Sequence, residues 1–345
     1  MSTVFSVATR RAPPYGAVTA SVGPEGLVCA EGPPEGREWP VGVRHFHEDG
    51  VSARGVEVER TEDAVVVRVA ASSSAADWDL AHRFLRAFST IADGTPVVEE
   101  GVGTPMDLVD LSIALRPDEL VRRIERDAAQ LAALVEQEGA SADGAPREAP
   151  DRVTVPGAVR PVHVGRATLA RLRAAGPPEE LGGRLTALLT RVQWIEGEGV
   201  AVPSVVAADD ARGRPWSGPL IVPGVRLLLP TASHHVVLDP DADAPALVVP
   251  AAALTAWAGA HVLELVDDVQ AVVEIPSDVF ATARAAARER AVAELVGLDA
   301  SPFDLPAPED GDEDEDEDDN NSDDAPSAPP PAASPSPKKP WWKLW

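Results

Sequence analysis

The chain changes character at Leu298, and that break decides how much of it can build a core. Residues 309–324 read EDGDEDEDEDDNNSDD. Such a run has nothing apolar to bury and its like charges repel, so it is expected to stay disordered. Residues 325–337, APSAPPPAASPSP, follow as a spacer that favours extended polyproline-like conformations. Folding is therefore expected to end near residue 300, with 301–345 forming a disordered acidic and proline-rich tail. The chain before it is long enough for about two domains. A hydrophobic content of 44% over the sequence allows a sizeable core.

The tail finishes in a third kind of sequence, PKKPWWKLW. The three lysines of the chain, Lys338, Lys339 and Lys343, all lie there, interleaved with Trp341, Trp342, Leu344 and Trp345. Every other basic side chain is arginine, which together with abundant Ala, Gly, Pro and Val fits a bacterial protein from a GC-rich genome. Tryptophans exposed on an unfolded segment are an aggregation liability unless a surface receives them. Tryptophan is also a frequent interface hot spot. The seven residues are expected to form a docking peptide for a protein partner, carried on an acidic tether. Fold-back onto the protein's own acidic chain ranks second. A membrane surface ranks third: Trp with Lys is the composition of interfacial anchors, but the acids upstream would be repelled by an anionic leaflet.

The formal net charge is −26. Acids outnumber bases by 10 in residues 301–345 and by 16 before them. An acidic chain throughout argues against a protein that binds nucleic acid by neutralising phosphates. The single cysteine, Cys29, excludes an internal disulfide and a cysteine-based zinc site, and its flanks read as a short strand with a buried structural thiol. The opening residues lack a signal-like apolar stretch, and no run of about 18 apolar residues occurs. The default compartment is the cytoplasm.

Within residues 1–300 the pattern predicts an α+β fold of two mixed regions, each with paired strands and a few packed helices, split into 1–138 and 152–300 by a linker at 139–151. FSVAT, GAVTASV and GLVCA read as strands between Pro/Gly turns, and ARGVEVER with AVVVRVA as a hairpin across 61–63. A helix is expected over 75–92, capped by Ser74 with Asp77 in a capping-box position. Trp78, Ala81, Leu85 and Phe88 would form its buried stripe, with His82, Arg83 and Arg86 solvated. A second helix over 117–138 starts at Pro117 and buries Leu120, Ile124, Leu131 and Val135. Asp118–Arg122 and Glu119–Arg123 would pair along it. Beyond the linker, PVHV then ATLARLRAAG reads as strand then helix, and EELGGRLTALLTRVQWI as helix then strand. GVRLLLP, HHVVLD, ALVVP, HVLELV and VQAVVEI read as strands, AAALTAWAG as a short helix, and 277–296 as a helix capped by Ser277 with Leu295 inward.

The common catalytic fingerprints for phosphate loops, nucleophile elbows, zinc helices and dinucleotide turns are all missing. His45 and His47 fall on one face of a strand, the start of a metal site, but no third ligand can be assigned and solvated strand-end histidines are expected. His234 and His235 would point to opposite faces. DPDADA, 239–244, begins like a calcium loop but carries Ala244 where Gly is needed and Pro250 where Glu belongs, so it reads as a turn. Neither metal nor cofactor is expected. Arg54, Glu57, Arg68 and the Asp77–Trp78 pair can line one surface of the first region. Residues 200–219 read as a long loop, a plain surface excursion first and, second, a place where Arg212, Arg214 and Trp216 meet an anion or a partner. Trp194, Trp216 and Trp257 are expected in core or half-buried contacts.

Two function classes follow. The first is a non-catalytic binding or adaptor protein, of accessory or immunity type, that docks a partner through its Lys/Trp tip. The second is an enzyme with a site between the two regions, recruited to an assembly by the tail. The second needs a cleft with convergent titratable groups; the first does not.

Overall fold

Seven antiparallel strands built from residues 2–106 form the first sheet of the computed structural model. The structure describes residues 2–136 apart from 24, the backbone of 139–140 and 146–147, residues 152–295 apart from 231 and 241–243, and residue 298. The strands are β1 (Ser2–Ala8), β2 (Leu27–Cys29), β3 (Gly42–Glu48), β4 (Val56–Arg60), β5 (Ala64–Ala70), β6 (Val97–Glu99) and β7 (Pro105–Met106). Their order across the sheet is β2-β3-β4-β5-β1-β6-β7. The β4–β5 hairpin is the one the sequence predicts, with Val65, Val67 and Val69 buried in strict alternation.

Helix α2 (Ala75–Ile91) lies against this sheet. Its start is set locally: Asp77 N donates to Ser74 Oγ at 3.2 Å and Ser74 N to Asp77 Oδ2 at 2.8 Å, a complete capping box. All four residues of the expected stripe are buried. Phe84 and Phe88 meet Trp39 edge-on, with ring centroids 6.0 and 5.0 Å apart, and Phe46 tilts against Trp39 at 5.4 Å. Arg83 departs from expectation. It is half-buried, donates to Val22 O at 2.6 Å and pairs with Glu48 at 2.6 Å, tying α2 to the strands.

GAVTASV is helix α1 (Tyr15–Val22), not a strand. Its two buried residues, Val18 and Val22, are four apart, a spacing that puts side chains on one face in a helix and in a strand alike. Helix α3 (Leu108–Ala114) was not anticipated. Asp107 starts it by accepting from Val109 N and Asp110 N, both at 2.8 Å.

Helix α4 (Pro117–Glu136) serves two cores. Leu120 and Ile124 pack with the first sheet and α2. Ala128, Leu131, Ala132 and Val135 pack instead with α6 (Leu181–Gln193), among them Leu185 and Leu189. Arg122 pairs with Asp118 as the spacing predicts, and also with Glu119. Arg123 does not pair with Glu119; it forks onto Glu99 at 3.0 and 3.1 Å and lies over the Trp78 ring. Glu125 reaches the start of α6, accepting from Gly182 N at 2.7 Å and Gly183 N at 3.1 Å. A carboxylate there compensates unpaired helix N–H groups and the positive end of the helix dipole.

Two-residue strands β8 (Gly139–Ala140) and β9 (Pro146–Arg147) pair within the segment read as a linker. Next come the hairpin of β10 (Arg152–Val155) with β11 (Val162–Gly165), and helix α5 (Arg166–Ala174). A five-stranded sheet combines β12 (Val205–Asp209), β13 (Pro215–Ile221), β15 (His234–Val237), β16 (Ala246–Pro250) and β19 (Ala293–Leu295), with β13 and β15 parallel. A three-stranded sheet has the order β14 (Arg226–Leu229), β18 (Ala271–Glu274), β17 (Val262–Leu265). Helices α7 (Leu254–Ala258) and α8 (Ser277–Arg288) cover the third core through Trp257 and Phe280.

Three expectations fail here. Residues after α6 form a single 3₁₀ turn, 195–198, rather than a strand. The last helix stops at Arg288, starts after Pro276 without a side-chain cap from Ser277, and gives way to β19, just before which Val292 N donates to Val248 O at 2.9 Å. The open edge of β16 supplies what isolated helix propensity did not show. Finally, 200–219 is mostly the β12–β13 hairpin, closed by a tight turn at Asp210–Arg214. Residues 1–296 make one compact α+β unit. Among the described residues no helix is long and apolar enough to cross a membrane.

Candidate functional site

A cavity of about 610 Å³ opens where β5 ends, beside α4 and β10. Its size lies within the range of ordinary small-molecule pockets. Ala70, Ala71 and Ser72 form one side, Leu131 and Leu134 of α4 a second, and Val153 to Pro156 a third. The walls are mostly apolar, and the charged side chains on them are Arg54 and Asp127.

Arg54 is fixed by its backbone first. Arg54 N and Gly55 N donate to the Asp77 carboxylate at 3.1 and 2.8 Å, so the capping residue of α2 also pins this turn. Gly55 is required there: its φ is +71°, and a Cβ would fall 2.2 Å from Phe46 O. The guanidinium then bridges two chain segments, Nη1 donating to Ala71 O and Nε to Pro156 O at 2.8 Å. Burial pulls the Arg54 pKa below its ordinary value, against the opposing charges of Asp77 and Asp127. Asp127 accepts from Ser72 N at 3.2 Å, and burial raises its carboxyl above the usual range despite that bond.

Ser72 links these groups. It is a non-glycine residue in the left-handed region, φ +64°, where the chain leaves β5 to start the α2 cap. It is 2% exposed, and its hydroxyl has no protein partner. A buried hydroxyl left unpaired costs about 1–3 kcal/mol. No described residue hydrogen-bonds that hydroxyl, and Arg54 holds carbonyls rather than a nucleophile. The cavity can therefore hold a ligand by shape and hydrogen bonds; its lining offers no nucleophile–base pair.

The residues singled out in the sequence fall in separate places. Arg54 and Asp77 meet as described, but Trp78 is in the first core. Glu57 pairs with Arg68 on the sheet surface and lies 3.7 Å from His45, whose Nδ1 is 2.7 Å from Glu31. His47 is not a solvated strand end: it is half-buried against the Trp194 ring, centroids 5.9 Å apart, and burial lowers its pKa. Trp194 Nε1 donates to Ser52 O at 2.8 Å. His234 meets Trp216 edge-on at 5.0 Å while its neighbour His235 is buried, so the two do diverge. Arg214 and Trp216 both turn to Asp210, with Arg214 Nε at 2.8 Å and Trp216 Nε1 at 3.3 Å, so this turn is held internally. Cys29 is half-buried, its thiol 3.6 Å from both Glu31 and Arg44, and burial raises its pKa. Asp239 to Ala244 lies partly outside the described residues. No group of three or more His, Cys, Asp or Glu able to hold a metal occurs among the described residues. Lys338, Lys339, Trp341, Trp342, Lys343, Leu344 and Trp345 lie outside the described residues.

Sequence reading named Arg54 but missed the cavity, because its walls come from four stretches far apart in the chain. The signal that was present is the Ser72-Ser73-Ser74 run between a strand and a helix, two serines more than the cap needs. No family model, no curated protein and no solved structure matches this chain.

Proposed function

We propose that this is a non-catalytic binding or adaptor protein that captures a protein partner through Lys338, Lys339, Trp341, Trp342, Lys343, Leu344 and Trp345. One observation carries the reading: every lysine of the chain and three of its eight tryptophans fall within eight residues, after a long acidic and proline-rich stretch. Tryptophan buries a large area with few rotamers to fix, and lysine supplies charge that an acidic partner surface can meet. The folded unit supports this reading from the other side. The cavity beside α4 ties Arg54 and Asp127 in part to backbone partners, an arrangement that fits holding a ligand.

The test is capture of partners on the intact protein and on the double variant Trp341→Ala/Trp342→Ala. A tryptophan buried at a partner surface is worth about 2 kcal/mol, so the double change should weaken capture by at least roughly thirtyfold, the loss of one anchor alone. The thermal midpoint of the folded unit should stay within about 1 °C. Co-sedimentation with anionic lipid vesicles that the double change removes would favour a membrane surface instead. Partner capture that survives deletion of residues 335–345 would overturn the proposal.

A further inference from the structure

We infer that the cavity beside α4 is a binding site for a small uncharged carboxamide carried on an apolar body. The reasoning starts from what its polar groups still lack. Arg54 spends Nη1 and Nε on Ala71 O and Pro156 O, and Nη2 is left without a partner among the described residues. Asp127 accepts from Ser72 N through Oδ2, which leaves Oδ1 free to accept. Both side chains line the cavity, Arg54 feels the charge of Asp127, and no direct ion pair joins them among the described residues. The site thus offers a donor and an acceptor set apart from one another. A carboxamide matches them, its carbonyl toward the guanidinium and its N–H₂ toward the carboxylate.

Charged heads fit worse. A ligand carboxylate would meet Asp127 in a mostly apolar site, on a protein of net charge −26. A ligand ammonium would face the Arg54 guanidinium. The apolar body has its counterpart in Leu131, Leu134 and Val153, and the volume of about 610 Å³ exceeds what a lone head group fills. Ser72 is a second, independent sign. Its backbone is held at φ +64° against a lining of the same cavity, with a buried hydroxyl that has no protein partner. Strained backbone of this kind collects at ligand clamps.

The test uses the full chain and three probes of one shape: 4-phenylbutanamide, 4-phenylbutanoate and 4-phenylbutylamine, titrated by calorimetry. The amide should bind at one site and about tenfold or more tighter than either charged probe. Ala133→Trp, at an exposed position of α4 on the cavity rim, should cost the amide at least about tenfold without moving the thermal midpoint. Asp127→Asn keeps an acceptor for Ser72 N but removes the charge, and should bring amide and carboxylate to within about threefold. The inference is overturned if the amide gives no saturable heat up to about 5 mM, where an efficient ligand of this size would bind. It is equally overturned if the carboxylate binds as tightly as the amide to the unaltered protein, or if Ala133→Trp leaves amide affinity unchanged.

Discussion

Asp77 joins two structural tasks in one carboxylate. It closes the cap of α2 through Ser74 and holds the Arg54–Gly55 turn, accepting from three backbone N–H groups and the Ser74 hydroxyl in a fully buried position. Asp77→Ala should lower stability by about 3 kcal/mol or more, read from urea unfolding, because it strands buried donors. A loss of under about 1 kcal/mol would mean that the turn is not held there. His235 makes a different demand. It is buried on β15 with Nδ1 unpartnered, and its pKa is lowered from the ordinary 6.5 to about 4, by burial first and by His234 second. The imidazole is neutral in the native state and takes up a proton more readily on unfolding. The stability this gives is fully present above about pH 6.5 and is lost as pH falls towards 4, by about 3 kcal/mol in total. His235→Gln should flatten the slope of stability against pH between those values, and an unchanged slope would assign the acid sensitivity elsewhere.

Elements whose cap and buried stripe lie within a few residues were the readier to place, although α3, capped locally by Asp107, escapes such spacing. The Ser74–Asp77 box and the Trp78/Ala81/Leu85/Phe88 stripe lie within one helix, so spacing alone placed α2. Spacing could not separate strand from helix for Val18 and Val22, nor could it see that 293–295 would find the edge of β16. The cavity was unreadable for the same reason: Arg54, Ser72, Asp127 and Val153 become neighbours only through tertiary packing. The α4–α6 contact offers a test of packing between elements. Gly182 sits where a Cβ would come within 2.7 Å of Ile124 O, a backbone atom that cannot swing aside. Gly182→Ala should therefore destabilise by about 1–3 kcal/mol despite alanine's better helix propensity, whereas Gly183→Ala, with open space around it, should be neutral or stabilising by a few tenths. Equal effects at the two positions in thermal melts would show that the helices are not in close contact there.

Within residues 1–296, α4 gives one side to the first core and another to the second, so disturbing either should be felt by both. Leu189→Ala, in α6 at a fully buried site, should cost about 2–5 kcal/mol. It should lower a single calorimetric transition, with methyl signals of Val67 and Leu228 vanishing together. Two separated transitions, with Val67 unmoved, would show independent units. The place of β1 in the first sheet has a consequence for the ribosome-bound chain. Strand β1 is flanked by β5 and β6, both made later, and carries Phe5 and Val7 into the core. Translation runs at about 5–20 residues per second. The roughly 60 residues between Ala8 and the end of β5 thus keep β1 waiting about 3–12 s after it is made, far longer than hairpins need to form. During that interval STVFSVA is an unpaired apolar strand, the kind of nascent segment that chaperones bind and that slow codons within residues 9–70 would leave exposed for longer.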